Sequence, residues 1–286
     1  KVGQARCNVA GNEPTGPSSN APRGADLRAR ARPSAGDAGQ HRAQREGHRH
    51  RRQRAAPHRV AQVVRPLVTG IAQALGLHLQ RVVTISCVLR AGDGLKVWSL
   101  AEPDLNEGAI IQRFFDGIEK FTPQLVSWNG SGFDLPVLHY RGMLHGVAAP
   151  RYWDLGEGDY ADSRDFKWNN YISRYHLRHL DLMDLLALYN ARANAPLDDL
   201  AKLFGFPGKL GMDGGKVWEA WQAGRAAEIR DYCETDVINT YLVYNRFRRL
   251  RGELAAEDEV AEGEFVKAQL ARIGAPHWQE FLAAWG

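Results

Sequence analysis

The sequence predicts an α/β domain built on a mixed sheet. Two β-branched apolar runs, Arg81–Arg90 (RVVTISCVLR) and Leu95–Leu100 (LKVWSL), are joined by Gly92-Asp93-Gly94 and read as an antiparallel hairpin. A helix-period segment then leads to a third short apolar run, Gln124–Trp128 (QLVSW), the order that brings a strand back parallel through a helical crossover. From residue 180 onward the pattern is helical.

The elements follow in order. Residues 1–65 carry 14 Lys+Arg against 4 Asp+Glu, whereas the rest of the chain carries 23 against 29, so the basic pI belongs to the head. Residues 1–57 contain no Phe, Tyr, Trp, Ile or Met, and all 27 aromatics lie from Trp98 onward. A segment so poor in apolar area cannot offset the entropy of ordering, and residues 1–65 are expected to be disordered. Its run GHRHRRQR, residues 47–54, reads first as a solvated tail and second as a nucleic-acid-binding arm. The Arg/Ala/Gly/Pro/His bias of residues 1 to 77 is also what an out-of-frame reading of a GC-rich gene would give. Alternatively, Val60–Val68 fills a strand slot.

After the hairpin, Asp104–Lys120 places Ile110, Ile111, Phe114, Phe115 and Ile118 at helical spacing, and Thr122-Pro123 ends the helix. Phe133–Leu144 is a further helix with Pro136 in its first turn. Residues 151–176 lack a period and read as a long loop or irregular hairpin. Short helices are expected over Leu180–Tyr189, Pro196–Phe204 and Val217–Gln222, a long amphipathic one over Ala226–Arg251, and one or two more over residues 253–284.

The cysteines, Cys7, Cys87 and Cys233, form no C-x-x-C pair, which excludes a zinc ribbon or a disulfide framework and fits a reducing, cytoplasmic setting. No signal-peptide pattern opens the chain, and Val60–Leu79 is too interrupted for a membrane span.

Two constellations carry chemistry. Asp134 closes a glycine-rich turn, Trp128–Asp134 (WNGSGFD), at the end of a strand, where α/β sheets gather functional groups; the plain alternative is a helix N-cap. Tyr232 and Asp236 stand four apart on one helix face; the plain alternative is an ordinary surface pair. Together, in this order, they suit phosphodiester hydrolysis by two divalent cations, which want hard carboxylate oxygens.

Residues 78–252 resemble the DEDD 3′–5′ exonucleases of ribonuclease H-like fold. More narrowly they resemble the predicted exonucleases related to the exonuclease domain of family B DNA polymerases. The segments HLQRVVTISCVLR, QLVSWNGSGFDLPVLHYRGMLHG, FKWNNYISRYHLRHLDLMDLLALY, GFPGKLGMDGGKVW and IRDYCETDVINTYLVYNRFRRLRG carry the likeness. The resemblance implies a sheet flanked by helices and two bound Mg²⁺ or Mn²⁺ ions. It makes Asp134 and Asp236 metal ligands, Asn129 and Phe133 companions of Asp134, and Tyr232 the tyrosine that orients water. Residues 253–286 would be a helical extension.

The family also carries an Asp-x-Glu on its first strand. No Asp-x-Glu occurs upstream of Arg81, and residues 47–92 contain no carboxylate at all. The implied activity is release of nucleoside monophosphates from single-stranded DNA, or 3′ ends of duplex DNA, in proofreading or repair. Replication or repair proteins would be the partners, though the sequence names none. The rival readings are a catalytically inactive nucleic-acid-binding module and an exoribonuclease.

Four further groups invite a functional reading. Asp181 and Asp184 read as caps and arginine partners before metal ligands. Lys209 and Lys216, in GKLGMDGGK, suit phosphate contacts as well as a plain loop. Trp168, with Phe166, Tyr171, Arg174 and Tyr175, suits stacking on single strands, with core packing as the alternative. His139, His145, His176 and His179 show no metal-site spacing.

Overall fold

The computed structural model describes residues 61–69, 76–101, 104 and 106–286, with the backbone path alone for 61–69. The chain divides into units 1–54 and 55–286, and the first, with the GHRHRRQR run, lies outside the described residues.

Five strands form one sheet: β1 (Ala61–Thr69), β2 (Arg81–Ala91), β3 (Gly94–Ala101), β4 (Gln124–Ser127) and β5 (His179–Asp181). Their order is β3-β2-β1-β4-β5. The β3–β2 and β2–β1 pairs are antiparallel, while β1–β4 and β4–β5 are parallel. This is the mixed, ribonuclease H-like sheet the sequence implies.

The central strand is β1, and it takes in Ala61–Arg65, the end of the segment expected to be disordered. Pro66 interrupts a ladder because it has no N–H to donate. It is accommodated because the parallel register with β4 stops at Val63, so β1 pairs only with β2 at that level.

Among the described residues, eight helices of five or more residues flank the sheet: α1 (Glu107–Phe121), α2 (Leu135–Leu144), α3 (Leu182–Leu186), α4 (Leu197–Leu203), α5 (Val217–Gln222), α6 (Ala226–Leu250), α7 (Ala256–Ile273) and α8 (Pro276–Ala284). Asn106, rather than Asp104, starts α1, its side chain accepting from the Ala109 N–H at 2.9 Å. Thr122 ends that helix in the left-handed region.

Alternation along the strands divides the core. Cys87 and Leu125 face a layer made by α1 and α2, with Ile110, Ile111, Phe114, Phe115, Ile118, Val137 and Leu138. Val88 and Val126 face the opposite layer, made mainly by α6, α7 and α8, with Val237, Tyr241, Leu270, Trp278 and Phe281. Helix α7, through Val266 and Leu270, and α8, through Trp278 and Phe281, thus bury side chains in the same core as the sheet. The β2 register slips at Leu67/Val68, where Leu67 pairs with Thr84 and Val68 with Val82. One extra residue there explains why Val82 and Ile85, three apart, share a face while Val83 points the other way.

One element differs from expectation. The chain at 180–189 does not begin as a helix: His179–Asp181 is a strand, and α3 follows it only to Leu186. Leu188 and Tyr189 take positive φ angles of 51° and 62°, which no helix continues through. A three-residue strand is too short to show a period of its own. No helix among the described residues is long and apolar enough to cross a membrane.

Candidate active site

Strand β4 ends at Ser127, and the chain then turns sharply. Asn129 adopts left-handed angles (φ 63°, ψ 21°), which asparagine tolerates better than most residues. Gly130–Asp134 then form a single π-helical turn that runs into α2. Both glycines are forced by contact. A Cβ on Gly130 would lie 2.3 Å from Ser127 Oγ, and one on Gly132 would lie 2.5 Å from Asn129 Oδ1.

The turn delivers Asp134 already in right-handed helical angles (φ −64°, ψ −50°) and 5% exposed. Its side chain makes no capping hydrogen bond, so the N-cap reading is set aside. Asn129 and Phe133 are half-buried, and the Phe133 N–H donates to the Asn129 carbonyl at 3.0 Å.

Helix α6 carries Tyr232 and Asp236, 4% and 0% exposed, so they are not an ordinary surface pair. Tyr232 packs with Val83, Val217, Ala220, Ile229 and Cys233, so the β2 bulge and α5 together fix its ring. Strand β1 contacts both the π-turn and α6. Asp134 and Asp236 therefore belong to two of the elements that contact the central strand, which α5 also touches.

The donor chemistry can be tested against a pair of hard cations. Asp134 and Asp236 are buried carboxylates on different elements, and carboxylate oxygens are the donors such ions take. Strand β1, AQVVRPLVT, supplies none. Asp134 and Asp236 offer two candidate carboxylates. They do not fit the four-carboxylate, two-ion set that the resemblance implies.

The lysine loop lies beside Tyr232. Asn239 on α6 clamps Gly208, its Oδ1 accepting from the Gly208 N–H at 3.1 Å and its Nδ2 donating to the Gly208 carbonyl at 2.8 Å. Asp198 on α4 accepts from the Lys209 N–H at 2.7 Å. Burial alone would raise the Asp198 pKa, but its bonds from Lys202 and Lys209 lower it. So held, Lys209 Nζ lies 5.9 Å from the Tyr232 ring centre. Lys216 and Tyr232 line one open pocket of about 420 Å³. Sequence reasoning missed Asn239 and Asp198, because side-chain clamps on a distant backbone leave no local motif.

The same pocket is lined by Asp231 and His277, and Glu234 stands next to them. One ligand atom from each of the three lies within 4.8 Å of the others. The imidazole faces both carboxylates, with Nε2 3.0 Å from Glu234 and Nδ1 3.6 Å from Asp231. These contacts tie α8 to α6.

The aromatic and basic residues of 166–175 separate into two sets. Phe166 and Tyr171 are core, and Phe166 is flanked by the guanidiniums of Arg178 and Arg151 at 3.8 and 4.0 Å from its centre. Trp168 and Tyr175 are 76% and 70% exposed, and Tyr175 packs edge-on against Tyr189 with centroids 5.0 Å apart. Trp168 does not line the Tyr232 pocket. Asp184 pairs with Arg174, and Asp181 caps α3, as the plain reading expected. His139 and His179 are held neutral, each with a pKa pushed down to about 4, first by burial.

No curated protein matches the chain. Among solved structures, a family B DNA polymerase from the hyperthermophilic archaeon Pyrobaculum calidifontis is similar at 21% identity and TM-score 0.48, over 67% of this chain and 25% of that one. E. coli exonuclease I in complex with a 5cy-dT13 oligonucleotide is similar at 15% identity and TM-score 0.31, over 70% of this chain and 46% of that one. The chain therefore spans only a quarter of the polymerase and under half of exonuclease I. A family model covers residues 73–285, starting just after β1. With most of its length matched, this chain belongs to the family described as predicted 3′–5′ exonucleases related to the exonuclease domain of PolB.

Proposed function

We propose that this protein is a divalent-cation-dependent 3′–5′ exonuclease that shortens single-stranded DNA, in proofreading or repair. The observation that carries the reading is that Asp134 and Asp236 are buried on two elements that both contact β1, with Tyr232 one helical turn from Asp236. A cation bound by these carboxylates, Mg²⁺ or Mn²⁺, would polarise the scissile phosphate and acidify a bound water.

The remaining work falls to the chain's own groups. The Tyr232 hydroxyl orients the attacking water. Lys209 and Lys216 neutralise phosphates near that hydroxyl. Asn129 and Phe133 shape the entry beside Asp134. Trp168 offers a stacking face for a base farther along the strand.

A second reading has its own support. The central strand brings no carboxylate, which favours a nucleic-acid-binding module that has lost cleavage. The two separate on 5′-labelled DNA with either a free 3′ end or a 3′-terminal phosphorothioate. The exonuclease reading expects products shortened from the 3′ end only where that end is free. Binding without shortening of either DNA supports the module.

A further inference from the structure

The turn that aims Asp134 is held from outside its own segment. Asp181, the last residue of β5, lies in register with Ser127, the last residue of β4. Its side chain therefore sits beneath the point where the chain leaves the sheet. Oδ1 accepts the Asn129 N–H at 2.9 Å, and Oδ2 accepts the Ser131 N–H at 2.8 Å. Asp181 is only 7% exposed.

The two N–H groups belong to the left-handed Asn129 and to the π-turn that follows. Backbone donors in such alternating conformations form a concave nest that favours a negative charge. They have no helical partner for the same reason, since they lie at the start of the turn. A carboxylate is the one side chain that can accept both with two equivalent oxygens. His179, two residues earlier on β5, grips the same turn from below, with Nε2 2.8 Å from Ser127 Oγ.

We infer that Asp181 is a positioning residue: it fixes the Asn129–Ser131 backbone and, through it, the direction of Asp134. The inference rests on the nuclease reading only for the use made of Asp134. A carboxylate three residues down a turn is sensitive to the turn's register, and misplacement by about 1 Å at a reacting centre can cost on the order of 100-fold in rate.

Capping offers a clean control. Asp181 Oδ1 also accepts the Asp184 N–H at 3.4 Å, as the N-cap of α3. Asparagine caps helices as well as aspartate does. Asp181→Asn therefore keeps the cap but sets an NH₂ group against one of the two turn N–H groups. Asp184→Asn breaks the Arg174 pair and leaves the turn untouched.

The test measures amide hydrogen exchange over residues 127–135 in the full-length parent, Asp181→Asn and Asp184→Asn, with kcat and KM on single-stranded DNA beside it. The expected result is exchange at least about 10-fold faster in this segment for Asp181→Asn alone, with protection elsewhere unchanged. Alongside it, kcat should fall roughly 10- to 100-fold while KM stays within about twofold. Unchanged exchange in the turn, a loss of protection spread over the whole sheet, or unaltered kcat in an active enzyme would each overturn the inference. A parent that does not cleave, with the turn loosened only by Asp181→Asn, would leave the anchoring intact and refute the nuclease reading instead.

Discussion

Asp134 shows how a single residue escapes its commonest role. It stands directly before a helix, where aspartate ordinarily accepts from the first free N–H groups. Here a π-turn precedes the helix, so Asp134 is already helical and its side chain makes no cap. Asp134→Ala and Asp236→Ala should each abolish cleavage while circular dichroism and melting remain those of a folded protein; retained cleavage in either would refute the assigned roles. Gly208 is a second sensitive point, with φ 70° and a would-be Cβ 2.4 Å from Asp198 Oδ1. Gly208→Ala should destabilise the fold by at least about 1–2 kcal/mol, the cost of a left-handed non-glycine residue. It should also weaken DNA binding by displacing Lys209, which thermal melts and a binding titration would measure. Asp134, Tyr232 and Asp236 could be put forward as candidates because each sits in a local motif. The roles of Asp181, Asn239 and Asp198 were not legible, because each acts on backbone 11 to 52 residues away.

Among the elements, the hairpin, α1, β4 and α6 were readable because each has a clear period or a marked stop. Strand β5 was hidden inside an apparently helical run, HLDLMDLLALY. It exists because its register with β4 buries His179, Leu180 and Asp181, a gain that only the partner strand reveals. Burying His179 has a consequence for acid stability. Its pKa falls to about 4 in the folded chain against an ordinary 6.5, chiefly through burial, and His139 behaves alike. The unfolded chain therefore takes up protons first as pH drops. The stability these neutral imidazoles contribute is whole above about pH 6.5 and is lost as pH falls toward 4. Melting temperature should drop over that window, and His179→Gln should flatten the drop. An identical pH profile in that variant would contradict the buried, neutral imidazole.

At the scale of the whole molecule, one sheet carries two helical layers, and the exonuclease-family match covers almost all of this body except β1. The sequence made the α/β class legible. It also showed that no Asp-x-Glu was at hand, and the strand found in the central slot is indeed free of carboxylates. What it could not show was that an apolar run interrupted by Pro66 would still pair on both sides. The GHRHRRQR run belongs to this scale as well. If it serves DNA binding, deleting residues 1–54 should make affinity fall less steeply with salt, because fewer counterions are released. An unchanged slope would leave the run a solvated tail.

We propose that two carboxylates on elements contacting an acid-free strand still support metal-dependent cleavage. The most direct measurement is digestion of a 5′-labelled single-stranded DNA by the full chain across a Mn²⁺ titration, beside Asp236→Ala. A ladder shortening from the 3′ end, dependent on Mn²⁺ and absent from the variant, is the predicted result. A folded parent that leaves the DNA intact at every Mn²⁺ concentration would contradict it.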